Sequence, residues 1–155
     1  MKVKELISVI EEFAPLSIQE GWDNSGLCIG SPEDEVTSVL LGLDCTPELV
    51  DEAVSCGADM IVTHHPLIFS GLKKISPDDQ VGEAVIKAIR AGISIYAAHT
   101  SADKVIAGVS GAMAAKLGLE NVRILDEDGC LFCIFFGNFV GFVIFYCLYG
   151  QISKA

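Results

Sequence analysis

Apolar residues along the first stretch of chain recur at helical spacing. Val3, Leu6, Ile7, Ile10 and Phe13 fall on one face of a helix over residues 2–13, and Pro15 ends it. The period then shortens. GLCIG at 26–30 reads as a short strand, with Pro32 turning the chain after it, and VTSVLLGLD at 36–44 has the near-continuous apolar run of a buried strand. Thr46-Pro47-Glu48 opens a helix: Thr46 can cap it, Pro47 suits the first turn, and Glu48 favours the positive end. Gly57 stops that helix, and DMIVT at 59–63 is the next strand. Asp78-Asp79 begin a helix with Val81, Val85, Ile86 and Ile89 on one side, ended by Gly92. ISIYAA at 93–98 is a strand, a helix runs from about Ala102 to Leu117 before Gly118, and VRIL at 122–125 closes the series.

Alternating strands and helices predict an α/β fold: a mostly parallel or mixed sheet, flanked by helices and connected by right-handed crossovers. That topology has a chemical consequence. Strands 59–63 and 93–98 are joined by one crossover helix, so they are expected to be parallel neighbours with their carboxyl ends at one edge. His64 and His65 follow the first; His99, Thr100 and Asp103 follow the second. Ligands of open α/β sheets collect beyond the carboxyl ends of strands. All three histidines of the chain and one carboxylate therefore meet there.

These residue types suit a divalent metal. Imidazole nitrogen and carboxylate oxygen bind such ions at about 2.1 Å, and the mixture favours zinc, iron, manganese or cobalt over calcium or magnesium. Adjacent histidines on a regular strand point to opposite faces. Either the pleat breaks beyond the strand end, where Pro66 restricts His65, or the two histidines hold separate ions about 3.5–4 Å apart, as in dinuclear hydrolases. Blander roles compete. A lone pair of histidines is most often strand-end polarity, Asp103 alone could cap the following helix, and His99 could be structural or orient another ligand. The convergence of all four residues at one edge favours the metal.

The segment GWDNSGLCIG at 21–30 carries a further cluster. Asp23 and Asn24 fit a tight turn, with a place in the metal crevice as the second reading. Trp22, the only tryptophan, fits a core or interface anchor better than a substrate platform. Asp44 is either another acid at the crevice or part of a helix start. Lys73-Lys74 either steer an anionic substrate or belong to an ordinary solvated loop.

Composition narrows the partners. The formal charge is -11 and the ten basic residues are scattered, which argues against nucleic acid. The acidic residues within the first apolar pattern, Glu5, Glu11 and Glu12, are foreign to a secretory leader. The six cysteines fit no small secreted framework, so a reduced, cytoplasmic protein is expected. The chain divides by composition into an α/β metal-binding unit, 1–128, and an apolar tail, 129–155. Residues 130–149, CLFCIFFGNFVGFVIFYCLY, carry no charge. In order of preference they read as a truncated or frame-shifted end, a hairpin turning at Gly137-Asn138, or a membrane-spanning helix, a role we do not favour. Cys130 and Cys133 form a C-x2-C without a second pair, so no structural zinc is assigned to them.

WDNSGLCIG, ADMIVTHHPLIF and IYAAHTSAD, in this order, resemble the dinuclear-metal proteins called GTP cyclohydrolase 1 type 2, or NGG-interacting-factor-three-like proteins. The likeness spans roughly residues 1–126, and the three motifs are jointly specific. The resemblance implies an α/β fold, one or two divalent ions (zinc, iron or manganese), a toroidal homohexamer and a hydrolase activity. The ligands it carries over are His64, His65 and Asp103, with His99 close to the metals as the candidate for proton transfer. Family members continue well beyond this length, and a later His and Glu, one helical turn apart, complete their site. Here no histidine follows His99 and no acidic residue follows Asp128. Two functions are therefore carried forward. The first is a metal-dependent hydrolase acting on a phosphate-bearing or nucleotide-like small molecule. The second is a non-catalytic, metal-stabilised oligomeric scaffold.

Overall fold

Side chains alternate across a strand, and the central strand of this protein shows it. Met60 and Val62 face one hydrophobic cluster, and Ile61 between them faces another. The computed structural model describes residues 1–120, 122–124, 132–135 and 142–145. Helix α1 (Val3–Phe13) leads through a 3-10 turn, Leu16–Ile18, to strand β1 (Gly26–Ile29). Strand β2 (Val39–Gly42), helix α2 (Pro47–Cys56), strand β3 (Met60–Thr63), helix α3 (Gln80–Ala91) and strand β4 (Ser94–Ala97) follow. Next come helices α4 (Thr100–Asp103) and α5 (Val109–Lys116), then strands β5 (Val122–Ile124), β6 (Phe132–Phe135) and β7 (Phe142–Phe145).

The main sheet has the order β1-β4-β3-β2. Strands β2, β3 and β4 are parallel, and β1 runs antiparallel beside β4. Val3, Leu6, Ile7 and Ile10 of α1 cover one face, packing with Met60 and Tyr96. Val50 and Ala53 of α2 and Ala84, Val85 and Ala88 of α3 cover the other, packing with Ile61 and Ile95. The result is a three-layer α/β domain. A register shift between Leu27 and Ile29 turns both Cys28 and Ile29 toward the α2–α3 side.

Three sequence expectations need correction. The strand expected to be buried at 36–44 is an edge strand whose residues alternate in exposure. Leu40 joins the core, whereas Leu41 is 74% exposed and Val39 and Leu43 are also open. With hydrogen-bonding company on one side only, β2 buries one face. The single helix expected from Ala102 to Leu117 is two helices. At Gly108 the backbone folds back so closely that a Cβ would stand 1.8 Å from the Ala102 carbonyl oxygen, and Gly108 occupies the N-cap of α5. Asp103 therefore closes α4 and does not cap the helix after it. Finally, β5 is not part of the main sheet. It pairs antiparallel with β6, Val122 opposite Ile134, and β6 pairs antiparallel with β7, Phe135 opposite Phe142. This is the arrangement a hairpin gives; the turn expected at Gly137-Asn138, and Cys130 of the C-x2-C pair, lie outside the described residues. Among the described residues no helix is long and apolar enough to cross a membrane.

One glycine holds β1 against β4. Gly30 has φ +103°, and a Cβ there would meet Ser94 Oγ at 2.1 Å. Gly30→Ala should lose about 2–4 kcal/mol through backbone strain and overpacking, read as an early urea midpoint. Ser94→Ala should be neutral or stabilising, because Ser94 Oγ is buried without a hydrogen-bond partner among the described residues. A Gly30→Ala midpoint equal to the parent's would refute the close approach.

Candidate metal centre

Parallel pairing brings the carboxyl ends of β3 and β4 to one edge, with Thr63 opposite Ala97. The chain leaves β3 still bonded to its neighbour: His64 N–H donates to Gly42 O at 3.3 Å and His65 N–H to Leu43 O at 2.9 Å. Thr63 Oγ1 donates to His65 O at 2.8 Å, tightening the bend before Pro66. The pleat ends here, so neighbouring side chains no longer diverge. The His64 and His65 rings lie 4.9 Å apart by centroid. His99 joins them from the end of β4, at 5.2 Å from His64 and 5.6 Å from His65. One ring nitrogen from each of His64, His65 and His99 lies within 4.8 Å of the others.

Each imidazole has an oxygen on Nδ1. His64 Nδ1 is 3.1 Å from Ala98 O, His65 Nδ1 is 2.6 Å from Asp44 Oδ1, and His99 Nδ1 is 2.9 Å from Asp23 Oδ1. A carbonyl or ionised carboxylate only accepts, so the proton of each neutral ring sits on Nδ1 and the lone pair on Nε2. That is the tautomer and the outer partner that metal-ligating histidines use. Burial holds the His64 imidazole below its ordinary value; Asp103 opposes that shift, and His65 and His99 reinforce it. His64 is consequently neutral at pH 7, as a metal ligand must be.

Asp103 comes from the single turn of α4. Its N–H donates to His99 O at 3.2 Å, and its Oδ1 stands 3.7 Å from His64 Nε2. Two donors sharing one tetrahedral ion at about 2.1 Å sit about 3.4 Å apart, so this spacing needs little closure around a cation. Among the described residues cysteine adds nothing to the donor set. Burial pushes the Cys28 thiol up to about 11, and burial with the neighbouring Cys28 pushes Cys45 up to about 12. Nitrogen and oxygen are what the edge offers.

The carboxylates behind the imidazoles are the part sequence reasoning underrated. Asp23, read first as a turn residue, has a fully enclosed side chain. It accepts from Thr100 N at 3.0 Å, Thr100 Oγ1, Ser25 Oγ at 2.8 Å and Asn24 N at 2.6 Å, besides His99. Burial alone would raise its pKa; the hydrogen bonds from Thr100, His99 and Ser25 outweigh it and hold the carboxyl down at about 2. Asp44, left open between crevice acid and helix start, stands behind His65, while Thr46 caps α2. The available signal was positional. Asp44 ends the strand parallel to β3, and Asp23 precedes a strand whose antiparallel direction puts its start at the same edge.

The site has a rim and a side cavity. Trp22 and Phe69 flank His99 at 6.1 and 6.3 Å between centroids. The core reading of Trp22 fails, since the residue is 46% exposed. A cavity of about 370 Å³ opens beside His65, with Asp44, Thr46 and Gln80 among its polar lining and Leu67 among its apolar lining. Lys73 and Lys74 are exposed on the loop that follows Phe69.

Comparison with known proteins agrees with this architecture. The family model described as Duf34/NIF3 (NGG1p interacting factor 3) matches residues 1–151. A Clostridium acetobutylicum protein named GTP cyclohydrolase 1 type 2 homolog is 42% identical over 128 residues, covering 83% of this chain and 48% of its own. The crystal structure of a Bacillus cereus protein related to NIF3 superposes with a TM-score of 0.78 at 42% identity, covering 81% of this chain and 35% of that one. A Staphylococcus aureus crystal structure gives 0.77 at 40% identity, covering 81% and 36%. The chain thus spans about half the length of the Clostridium relative, or less of the others. With the sheet-edge histidine cluster and a match along nearly the whole chain, the protein belongs to the Duf34/NIF3 family.

Proposed function

We propose that this edge is the metal site of a hydrolase acting on a phosphate-bearing or nucleotide-like small molecule. One observation carries the reading: three imidazoles converge, each with Nδ1 turned to an oxygen, beside the Asp103 carboxylate. His64, His65 and Asp103 would hold one or two divalent ions, zinc, iron or manganese, in keeping with a nitrogen-and-oxygen donor set. When bound, such an ion polarises a phosphoryl or carbonyl oxygen and acidifies water.

The protein's own groups do the rest. His99, enclosed and backed by the Asp23 carboxylate, would take a proton on Nε2 while Asp23 stabilises the resulting imidazolium. The cavity beside His65 lies within the size range of small-molecule sites, and Lys73 and Lys74 would draw an anion toward it. The name of the Clostridium relative favours a nucleotide-like substrate. We carry the homo-oligomer as part of the same proposal; light scattering of the purified chain tests it.

The protein should copurify with, or take up, about one or two equivalents of divalent metal by elemental analysis. It should release phosphate or alcohol from generic phosphoesters, and a chelator should abolish that turnover. Metal bound without chelator-sensitive turnover would instead favour a scaffold. A chain that takes up no metal would end both readings.

A further inference from the structure

The residues after β3 and those before β1 do more than build the histidine cluster. Trp22 and Phe69 are 46% and 43% exposed, yet their rings lie 6.0 Å apart, tilted by 49°. Large aromatic rings left half in water have an apolar cost, and here they stand on the rim of the candidate centre, both at edge-on geometry to His99. Their positions are fixed from below. Asn24 Nδ2 donates to Ile68 O at 2.5 Å, tying the residue two past Trp22 to the residue just before Phe69. Asp23, next to Trp22, is locked by Thr100 and Ser25. The run Trp22-Asp23-Asn24 divides its labour: one side chain at the rim, one behind His99, one clipping the two loops together.

From this we infer that Trp22 and Phe69 form an aromatic ledge that receives the planar heterocyclic ring of the substrate, such as a nucleobase, and delivers the attached phosphate-bearing part to the histidine cluster. At 6.0 Å the two rings already touch, so a third ring cannot slide between them as in a sandwich. It stacks on the Trp22 face with Phe69 meeting its edge, an arrangement aromatic systems favour. Base-on-aromatic stacking is indifferent to base identity, so the ledge selects for a flat ring and leaves the choice of ring to other contacts. Because both loops are pinned, little ordering cost is left for binding. The inference names the substrate class of the metal site proposed above and rests on that reading for where the phosphate goes.

Trp22 is the chain's only tryptophan, so its fluorescence reports on the ledge directly. Guanosine 5′-monophosphate should quench it saturably, while ribose 5-phosphate, which lacks the ring, should not. Phe69→Ala should weaken the nucleotide by about tenfold and leave zinc content unchanged; Phe69→Leu, which preserves bulk, checks that a loss reflects the aromatic ring and not misfolding. Equal responses to the two ligands, or an unaltered Phe69→Ala titration, would overturn the ledge. So would fluorescence that follows protein concentration but not nucleotide, which would mark a contact between copies. Zinc uptake is measured on the same samples. Zinc bound without base-dependent quenching removes the ledge and leaves the metal site; quenching without zinc uptake does the reverse.

Discussion

Replacing Asp23 with alanine should destabilise the protein by about 3–5 kcal/mol and lower turnover by about 100-fold, because it removes the group that positions His99. The carboxylate serves Thr100 N–H, the Thr100 and Ser25 hydroxyls, Asn24 N–H and His99 Nδ1–H. Alanine strands these donors in an enclosed site. The more instructive variant is Asp23→Asn, which keeps the shape. Its amide group can donate to His99 Nδ1, moving the ring proton to Nε2, so that the nitrogen facing the cluster can no longer accept one. Asp23→Asn should therefore stay folded and keep its zinc but lose turnover, with the His99 ring ¹⁵N shifts reporting the exchanged tautomer. Parent-like turnover in that variant would show that Asp23 has no part in orienting His99.

The same carboxylate sets an acid limit. Its folded pKa of about 2 lies below the ordinary 3.8. Between those values the unfolded chain takes a proton that the folded one refuses, so stability rises with pH across the window. The contribution, about 2 kcal/mol, is fully present above pH 4 and is lost as pH falls toward 2. Acid unfolding followed by circular dichroism should shift to lower proton sensitivity when Asp23 is replaced.

The second large effect is on metal-linked stability. An ion present at about a thousand times its dissociation constant stabilises the folded state by about 4 kcal/mol, which moves Tm by roughly 10–20 °C for a domain of this size. Adding a chelator to the loaded protein should produce a drop of that order. His64→Ala should erase the difference between loaded and chelated samples, since it removes a donor from the pair whose Nε2–Oδ1 distance is 3.7 Å. Asp103→Asn should shrink it, because the amide oxygen is a weaker donor than a carboxylate. These are melting measurements and need no substrate. A chelator response that survives in His64→Ala would move the ion to another set of residues.

How much of this was legible beforehand depends on the range of the interactions involved. Helices α2 and α3 announced themselves through Thr46-Pro47-Glu48, Asp79 and the glycines that end them, because capping and periodicity act within a few residues. The parallel pairing of β3 and β4, and with it the meeting of His64, His65 and His99, followed from one crossover helix. The break at Gly108 was not visible, since it arises from the backbone folding back onto Ala102. Nor was the open face of β2, whose apolar run reads the same in a central strand as at an edge.

Sequence alone determined which residues can chelate a cation and that two strand ends would present them together, for these follow from side-chain chemistry and the handedness of crossovers. Tertiary structure decided what stands behind them. Only the antiparallel course of β1 brings Asp23 under His99 and Trp22 to the rim, and only the edge position of β2 puts Asp44 on His65. Strand direction and order are settled by packing across the whole sheet, and no local run of residues encodes them.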